Sequence, residues 1–169
     1  VQTCALPIFG GGSVLDLGIY CLHFARFVLG GHDTVTASGT LNDLGVDVDA
    51  TYTLGYGNGA TAVLRSSLKE ATPCTATIIG EKGTITLSSR MHTSPGFAVA
   101  INGQAEVYHR HDENGQGLRH QVFEVHRCIE QGFIESPRLT HAETLAYAET
   151  MDEIRRQLGV RYDTDTPAK

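Results

Sequence analysis

The chain has 169 residues, 41% of them hydrophobic, with 13 Lys and Arg against 19 Asp and Glu and a formal net charge of −6. A chain of this length encloses a single hydrophobic core. Its mild acidity argues against a broad phosphate-binding surface and hence against a nucleic-acid partner, and no stretch approaches the ~18 uninterrupted apolar residues of a membrane span. The four cysteines, at 4, 21, 74 and 128, are far apart and form no C-x-x-C, so reduced thiols are expected. The N-terminal VQTCALPIFGGG has neither the basic start nor the long apolar middle of a signal peptide, and a cytoplasmic location is expected.

The glycine cluster Gly10-Gly11-Gly12 precedes a helix expected from about Ser13 to Leu29, with Leu15, Ile19, Leu22 and Leu29 on one stripe and Gly30-Gly31 as its stop. Ser13 is placed to N-cap this helix, and Asp16 three residues on completes an approximate capping box near the positive helix end. From Thr34 to His109 the period is two. Val46, Val48, Ala50, Tyr52, Leu54 and Tyr56 alternate with Asp47, Asp49, Thr51, Thr53 and Gly55, the pattern of a half-buried strand. Gly57-Asn58-Gly59 turns the chain into a returning partner that carries Ala60, Ala62, Leu64 and Leu68. Two more hairpins are expected, 75–80 with 84–87 and 97–101 with 104–108, the latter across Asn102-Gly103.

Two helices close the chain. One carries Leu118, Val122, Val125 and Ile129 and ends near Gly132; the other starts at the T-x-x-E box of Thr140 and Glu143, carries Tyr147, Met151, Ile154 and Leu158, and ends at Gly159. The expected class is α+β: two layers, an open, mostly antiparallel sheet covered on one face by helices.

The segment Gly10 to His23 concentrates the candidate chemistry. Asp16 and Tyr20, four residues apart, share a helix face, and His23 extends the same polar stripe opposite Leu15, Ile19 and Leu22. Asp16 could also serve simply as a helix-end charge, and Tyr20 as a hydrogen-bonding neighbour. Three glycines exceed what one turn requires, and missing β-carbons allow close approach of a ligand or partner. Gly55-Tyr56-Gly57-Asn58-Gly59-Ala60 satisfies the letters of G-x-G-x-x-G/A but leads into a strand instead of opening a helix, so it reads as a hairpin turn and no nucleotide-binding βαβ unit is expected. His109-Arg110-His111 reads as a solvated strand end and not a metal site. The i,i+4 pairs His120/Glu124 and His126/Glu130 read as surface ion pairing. Cys21 has no basic neighbour to activate it and reads as a spacer. No metal site is expected.

GGGSVLDLGIY resembles the second signature, roughly GGG-x-x-x-D-x-G-x-H/Y, of the family of glucose-fructose oxidoreductase, inositol dehydrogenase and rhizopine catabolism proteins. GEKGTITL, GLRHQVFEVHRCIEQG and LTHAETLAYAETMDEIRRQLGVRY extend the resemblance over nearly the whole chain, to a C-terminal domain like that of dihydrodipicolinate reductase. Tyr20 and the ending DEIRRQLGVRY resemble the branch of trans-dihydrodiol and NADP-dependent aldose dehydrogenases.

The resemblance implies residues 10–162 as a substrate-binding and oligomerisation domain, 1–9 as a segment outside the family and 163–169 as a polar tail. It implies that Asp16 contacts and orients a substrate hydroxyl, that Tyr20 contacts the reacting oxygen or assists proton transfer, and that Gly10, Gly11, Gly12 and His23 lie near substrate or cofactor. The cofactor implied is NADP or NAD, bound mainly by a Rossmann half; the substrate is a small polyol, sugar or diol; and a homodimer forms through the sheet face. The Rossmann half and its E-K-P lysine have no counterpart in these 169 residues. A non-catalytic sugar-binding or dimerisation module is the alternative reading.

Overall fold

The computed structural model describes residues 11–88, 90–110, 117–162 and 165. The chain divides into two compact units, Val1–Ala71 with Leu139–Lys169, and Thr72–Arg138. The α+β class holds, and the seven strands divide between two antiparallel sheets, one in each unit.

In the first unit a π-helical turn, Val14–Gly18, runs directly into helix α1, Ile19–Leu29. Gly30, at φ 81°, ends the helix in a conformation that favours glycine. The helix occupies the span read from the sequence, but its buried stripe is Val14, Gly18, Leu22 and Ala25. Those positions are spaced by four, four and three residues, a regular helical stripe that Val14 begins. Val14 therefore takes the core place expected of Leu15.

Strands β1 (Thr34–Leu41), β2 (Asp47–Gly55) and β3 (Thr61–Ser67) form an antiparallel meander. In β2 the alternation holds from Ala50 through Tyr52 to Leu54, all buried. These residues make one cluster with Val14, Leu22 and Ala25 of the N-terminal helix and with Tyr147 and Ile154 of α3, which spans His141–Leu158. Each large apolar side chain buried this way contributes about 1.5–3 kcal/mol.

The alternation breaks at the start of β2. Thr40 pairs with Asp49 but Leu41 pairs with Asp47, leaving Val48 as an extra residue in a bulge. Asp47, assigned to the polar face by its place in the sequence, is consequently buried.

Helix α3 begins at the expected capping box: Thr140 Oγ1 accepts from the Glu143 N–H at 3.2 Å, and the Thr140 N–H donates to Glu143 Oε2 at 3.0 Å. Gly159, at φ 81°, ends it. From its last turn, Gln157 accepts from the Ala37 N–H at 2.7 Å and donates to the Val35 carbonyl at 3.0 Å. Its side-chain amide thus takes the place of a further strand on the free edge of β1.

The second unit is a four-stranded meander of β4 (Ala76–Gly80), β5 (Gly83–Leu87), β6 (Gly96–Ile101) and β7 (Val107–Arg110). Both expected hairpins form. The second return strand starts at Val107, three residues later than its pattern suggests.

Helix α2, Leu118–Glu130, differs from expectation. Its apolar stripe of Leu118, Val122, Val125 and Ile129 is exposed, while Cys128 is its buried residue. Cys128 lies beside Glu124, which accepts from Arg127 at 2.6 and 2.9 Å and from the Ser136 hydroxyl at 2.6 Å. This network joins the helix to the segment that follows it, through Ser136, Arg138 and Phe133.

Candidate functional site

The candidate residues lie on the π-turn and the beginning of α1. The Asp16 N–H donates to the Gly12 carbonyl at 3.1 Å, so helical bonding already starts at Gly12. Ser13 accordingly has helical φ and ψ of −63° and −33° and makes no side-chain cap. This corrects the expected Ser13/Asp16 capping box, because a residue inside the first turn cannot adopt the extended backbone of an N-cap.

The capping function is supplied by Asp47 from β2. Its Oδ2 accepts from the Val14 N–H at 2.7 Å and from the Ser13 hydroxyl at 2.9 Å. A carboxylate at this position satisfies an otherwise orphaned N–H and sits at the positive end of the helix. The Ser13 hydroxyl also lies 3.1 Å from that of Ser66 on β3. Ser13 and Asp47 are both fully buried.

Two glycines of the signature allow this packing. A β-carbon on Gly12 would lie 2.8 Å from Asp47 Cγ and closer still to Oδ1. One on Gly18 would lie 2.5 Å from Tyr52 Oη. Close approach of these side chains, and not only of a ligand, therefore accounts for glycine at both positions. Burial pushes the Tyr52 phenol far above its ordinary pKa.

Asp16 is half-buried and Tyr20 is 51% exposed, on successive turns of the same helical segment. His23 is exposed but its ring packs against Tyr147 of α3, with centroids 5.6 Å apart. The Arg26 guanidinium lies 5.6 Å from the same ring. His23 thus has a packing role toward α3. Gly11 is half-buried, and Gly10 lies outside the described residues.

The dinucleotide letters at Gly55–Ala60 form the expected hairpin. The Tyr56 N–H donates to the Ala60 carbonyl at 3.1 Å, the Gly59 N–H to the Tyr56 carbonyl at 2.9 Å and the Ala60 N–H to Asn58 Oδ1 at 3.0 Å, while Asp33 accepts from Gly57. The turn consumes the N–H groups that a phosphate would need, and a strand follows. This loop does not fit a dinucleotide.

Sequence reasoning did not find Asp47, Ser66 or Tyr52. Asp47 stands in Val46-Asp47-Val48-Asp49, where nothing in the local pattern separates it from Asp49. Asp49 stays on the outer face and pairs with Arg65 at 2.6 Å.

The fold is similar to that of oxidoreductases of known structure. Residues 5–86 match the model of the GFO/IDH/MocA C-terminal domain.

Among its relatives are trans-1,2-dihydrobenzene-1,2-diol dehydrogenases. That of Danio rerio is 36% identical over 164 residues, covering 93% of this chain and 49% of the relative. That of Xenopus tropicalis is 34% identical over 162 residues, covering 90% and 48%. The chain therefore spans about half the length of the curated relatives it matches. Among solved structures, an aldose-aldose oxidoreductase from Caulobacter crescentus superposes with a TM-score of 0.71 at 23% identity, covering 88% of this chain and 45% of that one, a likeness of fold.

Proposed function

We propose that this chain is the substrate-side half of an NAD(P)-dependent dehydrogenase that oxidises a carbinol of a sugar or cyclic diol. The observation that supports this most is the pairing of Asp16 and Tyr20 on one anchored helix start, in a chain related over nine-tenths of its length to dihydrodiol dehydrogenases. The described residues offer no phosphate cradle at Gly55–Ala60, so NADP or NAD would be held by a dinucleotide-binding half, and the nicotinamide would supply the hydride acceptor.

The chain's own residues then have two tasks. Asp16 accepts a hydrogen bond from a substrate hydroxyl and fixes the carbinol's orientation, a role for which a half-buried carboxylate is stronger than a fully solvated one. Tyr20, exposed enough to meet a ligand, contacts the reacting oxygen or assists in moving its proton. Gly11, half-buried, leaves the backbone ahead of the helix open to close approach. A homodimer through a sheet face belongs to the same reading.

The test is steady-state kinetics with trans-dihydrodiols and aldoses, on the full-length polypeptide that carries this domain. Asp16→Asn and Tyr20→Phe are expected to lower kcat/KM by about 10²-fold or more, as loss of a positioned proton-transfer or orienting group does. Unchanged kcat/KM for both variants on every substrate turned over refutes the assignment.

A further inference from the structure

We propose that Asp47 is a positioning residue for Asp16 and Tyr20: its buried carboxylate fixes where the helix that carries them begins and how it is rotated. The inference rests on the substrate-side reading of Asp16 and Tyr20.

Three independent features of the first unit converge on this carboxylate. Oδ2 holds the first turn of the helix through the Val14 N–H at 2.7 Å and the Ser13 hydroxyl at 2.9 Å. Gly12, whose carbonyl receives the Asp16 N–H, leaves the space that the carboxylate occupies. The β2 bulge at Val48 turns Asp47 inward, where regular pairing would have turned it to the surface. Asp47 thereby ties the sheet to the residue two positions before Asp16 and six before Tyr20.

A second observation argues that the arrangement serves more than stability. Asp47 Oδ1 is buried without a hydrogen-bond partner among the described residues. An apolar side chain of the same shape would avoid the cost of burying a polar atom that makes no bond. Retaining a carboxylate there is understandable if the helix start must be held in one rotation relative to the sheet. Unpartnered buried polar groups of this kind concentrate where strain serves a site.

The consequence for the reaction is specific. Asp47 makes no contact with substrate in this role, so removing its charge leaves binding nearly intact but misplaces the reacting groups. A displacement of about 1 Å costs on the order of 10²-fold in rate.

The experiment compares wild type, Asp47→Asn, Ser13→Ala, Tyr20→Phe and Asp47→Asn/Tyr20→Phe in the full-length polypeptide, with circular dichroism and thermal unfolding alongside kinetics. The expected result is a folded Asp47→Asn protein with kcat down by about tenfold to 10²-fold, KM within about twofold of wild type, and a smaller further loss of kcat, from Asp16 alone, when the substitution is added to Tyr20→Phe. Ser13→Ala, which removes one of the two bonds to Oδ2 and keeps the other, is expected to lower kcat in the same sense by a smaller factor. It supplies the answer should Asp47→Asn fail to fold.

Unchanged kcat in Asp47→Asn, or in Ser13→Ala where Asp47→Asn does not fold, overturns the positioning role while a fall in Tyr20→Phe leaves the substrate-side reading standing. A full additional loss in the double variant also overturns it, because Asp47 then acts independently of Tyr20. Unchanged kcat/KM in both Tyr20→Phe and Asp16→Asn overturns both.

Discussion

Gly12→Ala probes the packing that holds the candidate site. The new methyl group would lie 2.8 Å from Asp47 Cγ, so the carboxylate must move. Moving it sacrifices the bonds from the Val14 N–H and the Ser13 hydroxyl. Hydrogen bonds to a charged group contribute about 1.5–3 kcal/mol each. Gly12 precedes the first helical residue, so no helix-interior preference for alanine offsets that loss. Partial relaxation of the carboxylate leaves an expected net destabilisation of about 2–4 kcal/mol, a large part of a typical domain's stability.

Urea unfolding followed by circular dichroism measures it. At a slope of about 1–3 kcal/mol/M the midpoint falls by about 1 M or more. Gly31→Ala serves as the control, since a β-carbon there meets the flexible end of Arg26 at an ordinary 3.5 Å. The reasoning also requires that Gly12→Ala cost much less in an Asp47→Asn background than in wild type if both act on one contact. A Gly12→Ala protein that unfolds at or above the wild-type midpoint refutes the account of this glycine.

Three further outcomes follow from the geometry. Tyr52→Phe removes a buried hydroxyl that hydrogen-bonds with Ser66 and Cys21, so thermal unfolding should show a loss of about 1 kcal/mol; no loss contradicts those contacts. Because burial raises the Tyr52 phenol's pKa in the folded state, the unfolded chain releases that proton first as pH rises above about 10. Stability is therefore lost in that alkaline window, and the loss should be smaller in Tyr52→Phe. Glu124, held down to about 2 by Arg127 first and then Ser136, favours folding above the ordinary value of 4.5, a contribution lost as pH falls toward 2. In Glu124→Gln the acid dependence of unfolding between those limits should flatten. Thr140→Ala removes the cap of α3 and should cost about 1 kcal/mol in denaturant unfolding.

Most elements were legible because local chemistry sets them. The Thr140/Glu143 box, the glycine stops at Gly30 and Gly159, the Asn102-Gly103 turn and the alternation from Ala50 to Leu54 are signals within a few residues. The same locality made the Gly55–Ala60 letters recognisable as a turn. What the sequence did not disclose depends on partners distant in the chain. Asp47 is buried because β2 bulges opposite β1, and Ser13 ceases to be a cap because a carboxylate 34 positions away takes that place. The buried stripe begins at Val14 and not at Leu15, with Gly18 set against Tyr52 of β2, and helical spacing alone fits either stripe. The exposed stripe of α2 shows the converse, an amphipathic pattern whose buried side is instead the one with Cys128 and the Glu124 network. For the candidate site, Asp16 and Tyr20 were visible through the signature, whereas the residues that hold their helix were not.

The most direct test of the central claim is kcat/KM for NAD(P)-linked oxidation of trans-dihydrodiols and aldoses by the full-length polypeptide, with and without Tyr20→Phe. The account predicts turnover of at least one such carbinol and a fall of about 10²-fold or more in the variant. Equal kcat/KM for variant and wild type, or no oxidation of any sugar or diol carbinol, contradicts it.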